Sequence, residues 1–398
     1  MMISVLVTDG ETRAALAVTR SLGRKGCRVV VGGRAKNVSS ASKYCAKAYY
    51  LPSPMEDEEQ YLHHVLNIVH DENIRFVFPI TEPAVHILSK NRHEFPKGVI
   101  TAAPEWDKIM IAFNKVEVFK RAEHLGVGIP STIFVRDRED FFTKEHLCTT
   151  FPVVVKPGMS RIHTSSGFIS TKVVYANSAE ELRACFEKID ALNYPSMIQE
   201  KILGPVTGLF TLFDRDRHLA LFSHRRLREK PPSGGVSVVS ESVPLDPEMV
   251  DASARLLSSI GWAGVAMVEF KRDIRDGRPK LMEINGRFWG SLQLAIACGV
   301  DFPALLLDYL RGKRPDGSIG EYKTGHKLKW FLGTLDHLII RIKNDDASLN
   351  LPPGSPSKFR CFMDFLKVWE RNTSFDVIDR NDISPFIREL RNYFQNRD

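Results

Sequence analysis

Cysteine is sparse in this chain and never paired in sequence. Cys27, Cys45, Cys148, Cys185, Cys298 and Cys361 lie far apart with no C-x-x-C spacing. Neither a zinc module nor a disulfide framework is therefore read from them, and reduced thiols are expected. Long apolar runs are missing too: none approaches the roughly 18 residues a membrane span needs, so no span is expected. The opening MMISVLVTDGETR lacks a charged leader and a long apolar stretch, so the expectation is a cytoplasmic protein without a signal peptide. The first turn, Thr8-Asp9-Gly10-Glu11-Thr12-Arg13, lacks the glycine triplet that lets a pyrophosphate approach the backbone, which argues against a nicotinamide-binding redox domain. The only Gly-Lys pair, Gly312-Lys313, is followed by Arg314, so a P-loop is not expected. Dense Lys/Arg stretches interleaved with aromatics are absent as well. With a net charge of +7, the scattered basic residues and the cluster from His224 to Lys230 fit a cleft for small anions better than nucleic acid.

What is present is an ordinary globular composition, 43% apolar and 26% charged over 398 residues, enough for two or three domains. Ile3–Val7, a helical pattern through Ala14, Leu16, Val18 and Leu22, and a second apolar run at 28–31 form a strand–helix–strand unit. Asp9 or Thr8 is the expected helix cap. Helices over 57–71 and 83–90 alternate with strands at 75–80 and 99–101, which predicts an open parallel sheet over about the first hundred residues. Beyond it, 106–125 reads as one helix. Val153–Lys156 is an apolar strand that delivers a lysine at its end, and the small polar residues of 159–167 read as a mobile loop. Ser178 and Glu181 form a capping-box pattern for a helix over 178–192. Strands are predicted at 197–202, 210–214 and 218–224, then at 264–271 and 279–285, with a helix over 247–260 between them. The Pro-Pro-Ser-Gly-Gly run at 231–235 can present backbone N–H groups to an anion.

The most informative run is Lys280-Leu281-Met282-Glu283-Ile284-Asn285-Gly286-Arg287-Phe288-Trp289-Gly290. In a strand, Glu283, Asn285 and Arg287 share a face. A carboxylate and an amide oxygen are hard ligands suited to Mg²⁺, and an arginine beside them offers a planar fork for phosphate or carboxylate. The combination reads as a metal–polyphosphate site.

Four segments in order carry a resemblance. They are Asn114-Lys115 before Gly126-x-x-x-Pro130, Val153-Val154-Val155-Lys156-Pro157-Gly158, Ile198-Gln199-Glu200-Lys201-Ile202, and Val268-Glu269-Phe270 followed by Glu283-Ile284-Asn285-Gly286-Arg287. Together they resemble ATP-grasp enzymes of the carboxylate–amine ligase group, akin to the large subunit of carbamoyl phosphate synthetase and to D-alanine–D-alanine ligase. The resemblance implies an α/β protein with an α+β ATP-grasp core. Residues 1–105 would form a preATP-grasp domain and 106–305 a two-lobed ATP-grasp domain (small lobe 106–195, large lobe 196–305). Residues 306–398 match nothing comparable and are expected to be a mostly helical extension.

The same resemblance implies ATP and Mg²⁺ (or Mn²⁺), with two ions. Lys115 and Lys156 would meet the phosphates, Glu200 the adenine amino group, and Lys201 and Ile202 the rest of the adenine through their backbone. Glu269, Glu283 and Asn285 would be the metal ligands. Arg287, with Arg226 or Arg228, would hold the reacting acid. Ser160–Gly167 would be the lid. The acid that holds the ribose in many relatives has no counterpart here; Thr207 would be a weak substitute, and the ribose contact stays open. The implied reaction is activation of a carboxylate as an acyl phosphate for attack by an amine or other nucleophile, releasing ADP and phosphate. A bicarbonate-using carboxylase and a non-catalytic nucleotide-binding module are the alternatives. Small-molecule acids and amines are the implied partners, and the oligomeric state stays open, a homodimer included. His63, His64 and His70 do not match a zinc spacing. The basic amphipathic stretch 327–343 is read as a helix packed on the core, with peripheral membrane contact as the weaker reading.

Overall fold

Short apolar runs rich in valine become the strands of the first sheet. A computed structural model describes all residues except 1, 165–166, 233, 314–318, 347, 350, 352–354, 368–369 and 396–398; Ser165, Ser166 and Ser233, named above in the lid and the glycine-rich run, fall outside the described residues. The N-terminal domain runs β1 (Ser4–Val7), α1 (Arg13–Arg24), β2 (Arg28–Gly33), β3 (Cys45–Tyr50), α2 (Glu58–Asp71), β4 (Phe76–Phe78), α3 (Glu82–Lys90) and β5 (Ile100–Thr101). Its five parallel strands lie in the order β3-β2-β1-β4-β5, as an α/β reading requires. The α1 cap is Thr12, whose hydroxyl accepts from the Ala15 amide at 3.1 Å, rather than Asp9 or Thr8. Asp9, at φ 57°, instead takes the Ile80 and Thr81 amides at 3.1 and 3.2 Å and ties the end of β1 to that of β4.

The stretch read as one helix over 106–125 is two, α4 (Trp106–Phe113) and α5 (Lys115–His124). Asn114 leaves the helical region (ψ 98°) and its side chain caps α5 through the Glu117 amide, so its polar side chain competes with the helix ladder for the backbone. The small-lobe sheet follows: β6 (Thr132–Val135), α6 (Arg138–Lys144), β7 (Val153–Pro157), β8 (Arg161–Thr164), β9 (Gly167–Ser170), β10 (Val174–Ala176), α7 (Ala179–Lys188) and β11 (Ser196–Glu200). Its strand order is β10-β7-β11-β6, so residues 196–200, assigned to the large lobe from sequence, belong to the small one. The segment read as a loop over 159–167 carries a two-stranded antiparallel hairpin, β8 with β9.

The large lobe comprises β12 (Val206–Asp214), β13 (Arg217–Lys230), β14 (Val236–Ser242), α8 (Pro247–Ile260), β15 (Ala263–Arg272), β16 (Pro279–Asn285), α9 (Leu292–Cys298) and α10 (Phe302–Leu310). The extension adds β17 (Lys327–Lys329), α11 (Phe331–Lys343), α12 (Lys358–Leu366), β18 (Thr373–Phe375) and α13 (Ser384–Gln395). It is mostly helical, but β17 and β18 extend the large-lobe sheet to seven strands, β16-β15-β12-β13-β14-β17-β18. One face of that sheet packs on α4, α5 and α8 through Leu209, Phe213, Val268 and Phe270. The other, through Phe210, Phe222 and Met267, shares a core with α9, α10 and the N-terminal β1 and α1. Within 327–343 only 331–343 is helical; Leu332, His337, Leu338 and Arg341 are buried on that helix, and it packs against β13, β14 and α12. No single helix among the described residues is long and apolar enough to cross a membrane.

The chain's two ends are strapped together. Arg20 of α1, 1% exposed, donates to Asp382 Oδ2 at 2.9 Å and to the Val377 and Asp382 carbonyls, while the Ser42 hydroxyl and Lys43 amide also donate to Asp382. Removing one partner of a buried pair strands the other charge. Asp382→Asn should therefore lower unfolding free energy by about 3–5 kcal/mol, read by urea denaturation at pH 7. The Asp382 carboxyl sits below its ordinary range because Ser42, Lys43 and Arg20 outweigh its burial. Its stabilisation should thus be present above that range and fade as pH falls through it.

Candidate functional site

Two lobes bring lysines toward a pair of carboxylates. The break at Asn114 puts Lys115 at the first position of α5, where its amide donates to the Gly158 carbonyl (2.6 Å) and its ammonium to Ser160 Oγ (3.2 Å). Lys156 pairs across the sheet with Met197, on the face turned toward Phe119, and its Nζ lies 5.5 Å from that ring's centroid. The lysine ending an apolar strand is thus aimed inward, not into solvent.

Opposite them, the large-lobe sheet sets a row of partners across four strands: Glu283 of β16, Glu269 of β15, Gly208 of β12 and His224 of β13. Directly opposed side chains stand about 5 Å apart at Cβ, so both carboxylates occupy one spot. The register slips between Glu269 and Phe270, skipping Met282. This bulge lets Leu281 enter the core beside Phe270 while Glu283 turns to the other face, the re-aiming that bulges perform. Gly208 leaves room for the Phe210 ring, which a Cβ there would meet at 2.5 Å. That ring stacks on His224 at 4.5 Å. His224 donates or accepts at Ser291 Oγ (2.7 Å), and burial, with Arg226 nearby, pushes its pKa down to about 3; it is a neutral support.

The electrostatics follow from desolvation. Burial drives the Glu269 carboxyl well above its ordinary range, Glu283 and Glu229 add to this, and the bonded Arg226 guanidinium offsets only part. Burial also pushes Glu283 up, but the Asn285 amide (2.7 Å) and the charges of Lys115, Arg287 and Arg226 outweigh it and hold that carboxyl low. Lys156 is pushed down to about 8, first by burial and then by Lys115 and Lys271, against the pull of Glu283 and Glu269. Arg287 donates to Asn285 Oδ1 at 3.0 Å and to the Phe288 carbonyl at 2.9 Å. Five cations (Lys115, Lys156, Arg226, Lys271 and Arg287) thus surround three carboxylates, Glu269, Glu283 and the Arg226-bonded Glu229, leaving an excess of positive charge that suits a polyphosphate.

This donor set fits a hard divalent cation. Two adjacent desolvated carboxylates and one amide oxygen are a partial oxygen shell, to be completed by phosphate oxygens and water, as Mg²⁺ prefers. Among the described residues no cluster of three or more His, Cys, Asp or Glu supplies a complete protein cage. A hollow lined by Glu82, Lys115, Phe119, Ser160, Glu283 and Asn285 joins the N-terminal domain, small lobe and large lobe at this point.

Other residues named from sequence are placed elsewhere. The Glu200 carboxylate caps the Ser131 amide (2.9 Å) and pairs with Arg275 (2.7 Å); its strand face is that of Ile198 and Val153, packed on the outer small-lobe core. Lys201 is exposed, 5.4 Å from the Tyr175 ring. Ile202 is buried and its carbonyl accepts from Lys271 at 3.4 Å. Arg228 pairs with Asp364 of α12, away from Glu269. The strand expected over 218–224 runs on through Lys230.

Three features went unread in the sequence. Lys271 shares the face of Glu269, and the spacing Glu269-Phe270-Lys271 was signal enough. Glu82, at the start of α3, lines the hollow beside Glu283. The third is a chamber of about 1010 Å³ between the N-terminal domain, the large lobe and the extension, made by parts too distant in sequence to align by pattern. Arg226→Gln should destabilise the fold by about 3–5 kcal/mol at pH 8, by leaving Glu269 buried without its partner. The loss should shrink toward pH 5, because a carboxyl whose folded pKa is raised stabilises below its unfolded value and loses that contribution as pH rises through the folded one. Urea unfolding at both pH values checks the sign.

Comparison with known proteins agrees with this architecture. Residues 5–102 match the PylC-like N-terminal domain, and 223–333 match the family described as ATP-grasp in the biosynthetic pathway with Ter operon. A D-aspartate ligase from Enterococcus faecium (strain Aus0004) is 24% identical over 211 residues, 50% of each chain, so this protein spans about half the length of the curated relative it matches. Similar solved structures include a 2-oxoglutarate carboxylase biotin carboxylase domain from Hydrogenobacter thermophilus (TM-score 0.61, 17% identity, 82% of this chain and 73% of that one). An L-amino acid ligase from Bacillus licheniformis gives 0.57 and 19% over 77% and 73%. The N5-carboxyaminoimidazole synthetase from Staphylococcus aureus, solved with ADP, gives 0.61 and 13% over 82% and 81%. Lysines from one lobe are set over paired carboxylates of the other, and the chain is similar to ATP-grasp proteins over residues 223–333 and to the PylC-like N-terminal domain over residues 5–102.

Proposed function

We propose that the protein is an ATP- and Mg²⁺-dependent ligase that activates a substrate carboxylate as an acyl phosphate, which an amine then attacks, releasing ADP and phosphate. The observation that carries this reading is the cross-strand pair Glu269–Glu283 ringed by Lys115, Lys156, Arg226, Lys271 and Arg287. Lys115 and Lys156 bind the phosphates. Glu269, Glu283 and Asn285 would hold one or two magnesium ions, whose contribution would be positive charge against the transferred phosphoryl group. The adenine lies at the backbone of Lys201 and Ile202; the Glu200 carboxylate shapes that turn through Ser131 and Arg275. Arg287 orients the acid, with Arg226 beside it, and Arg228 belongs to the fold instead. The hairpin after Ser160 covers the phosphates, where excluding water protects an acyl phosphate. No side-chain nucleophile is needed, because positioning and charge stabilisation carry this chemistry.

The matched relatives named D-aspartate ligase and L-amino acid ligase support an organic acid, whereas one structural neighbour was solved with bicarbonate. The chamber beside Arg287, at about 1010 Å³, lies at the upper end of the range for organic ligands and is far larger than bicarbonate requires.

The test is ADP release screened over amino acids, peptides and hydroxy acids with amine partners, with mass spectrometry of the product. ADP release should depend on an organic acid, and Lys156→Ala and Glu283→Gln should each lower kcat by about 100-fold or more. Full release with bicarbonate alone would overturn the reading. A separate check needs no turnover. With ADP present, Mg²⁺ at 100 times its Kd should add about 2.7 kcal/mol of stability, seen as a rise in Tm that Glu283→Gln abolishes.

A further inference from the structure

The extension turns an apolar helix face outward. On α12, Cys361 is buried, Phe365 packs 5.7 Å from the Phe331 ring of α11, and Asp364 pairs with Arg228 of β13. These three residues make up the inner face. The outer face carries Phe359, Phe362, Met363 and Leu366, which are 74%, 44%, 39% and 55% exposed. Spaced i, i+3, i+4 and i+7, they form one stripe along the helix. The Lys358 ammonium donates to the Asn344 carbonyl at 2.9 Å and so sets the end of α11, with its exposed Ile342, against the start of α12.

Charge frames the stripe. At 3.6 residues per turn, Lys358 flanks it on one side, and Lys367 with Arg360 on the other. Residues 341–371 hold six cations and four acids. Three of the acids are engaged by cations from the interior: Asp346 by the buried Arg341, Asp364 by Arg228, and Glu370 by Lys327 and Lys329. Arg360 and Lys367 reach Asp364 only at 3.6 Å and share it with Arg228. Lys343, Lys358, Arg360, Lys367 and Arg371 therefore stand against Asp345 alone, and the rim is positive. The stripe is a ridge from which Phe359 protrudes. It shows roughly 400 Å², taking about 200 Å² for each of its four side chains, whereas a stable protein interface takes about 800 Å² from each partner. A fluid surface imposes no such minimum and needs no matching shape.

We infer that α12 seats the protein on an anionic lipid surface. Its four apolar side chains enter the boundary between headgroups and acyl chains. Lys343, Lys358, Arg360 and Lys367 lay their stems along that boundary and meet the lipid phosphates with their charged ends. The peripheral contact considered for 327–343 thus falls on the next helix, because α11 buries its own apolar face against the protein. The Asp364–Arg228 pair ties α12 to β13, the strand that also carries Arg226. Lipid binding of this kind is independent of the ligase activity.

The experiment is co-sedimentation of the full chain with two kinds of vesicle: phosphatidylcholine alone, and phosphatidylcholine with phosphatidylglycerol as about one lipid in three. The unaltered protein should bind the anionic vesicles at least about ten-fold more tightly than the neutral ones, and lose most of that preference in about 0.5 M salt. Phe359→Ser combined with Phe362→Ser should weaken binding to the anionic vesicles at least about ten-fold, with circular dichroism and ADP release unchanged. Lys358→Glu combined with Lys367→Glu should remove the preference for anionic over neutral vesicles, which decides the matter if the first variant misfolds. No binding to either vesicle, or binding untouched by both variants, would overturn the inference. So would a dimer in sedimentation velocity that the Phe359→Ser, Phe362→Ser protein loses while the unaltered protein ignores vesicles, since the stripe then belongs to a second copy of the chain.

Discussion

Two carboxylates forced together away from water govern this structure. Glu269 and Glu283 oppose each other on adjacent strands, and like charges so placed repel unless cations or protons intervene. The fold answers with cations from three directions: Arg226 from β13, Lys115 and Lys156 from the small lobe, and Arg287 from the turn after β16. The cost is visible in the pKa values. Lys156 is held low at about 8 and Glu269 is driven high, which are the signs of a site whose charges are desolvated together. Structural ion pairs in this protein, such as Arg20–Asp382, are saturated by neighbouring hydroxyls and amides. The central cluster instead keeps a surplus of positive charge.

Much of this was legible because it follows short-range rules. Alternation put Glu283 and Asn285 on one strand face, and an apolar run ending in Lys156 announced a buried strand with a charged tip. The parallel N-terminal sheet follows from strand–helix alternation alone. Where the reading failed, local competition decided. Residues 106–125 carry a continuous helical pattern, yet Asn114 offers its own side chain to the Glu117 amide and splits the helix; after that split the Lys115 ammonium reaches Ser160 Oγ. The polar stretch after Met159 has loop composition, but cross-strand pairing makes it a hairpin, and composition does not report pairing. Glu200 illustrates a different limit. Its position beside Lys201 and Ile202 is a matter of sequence order, whereas its side-chain direction depends on Ser131 and Arg275, 69 and 75 residues away.

The extension was the least legible part, for the same reason on a larger scale. Its two strands have three residues each, too short to show a period. They exist because β14 offers an edge and because α11 covers it. The bonds that anchor the region span almost the whole chain, with Arg13 and Asp376 363 residues apart. Closing such distances costs chain entropy that grows only slowly with length, so a few buried ion pairs and an added pair of strands suffice to hold both ends against one domain.

That anchoring matters because it fixes where a substrate can stand. Glu82 lines both the large chamber and the small hollow that holds Lys115, Glu283 and Asn285, and Arg287 lines the chamber while bonding to Asn285. The two spaces therefore adjoin through side chains rather than through a long channel. A group held at Arg287 is one hydrogen bond removed from the carboxylate pair. Positioning of this kind is the largest contribution a protein makes to a reaction whose bond-making needs no protein nucleophile. It requires the N-terminal domain, both lobes and the extension to keep a common geometry. The straps at Arg13 and Arg20 hold the extension and the N-terminal domain in that geometry, so the part of the chain least readable in sequence sets the far wall of the space where the acid would lie.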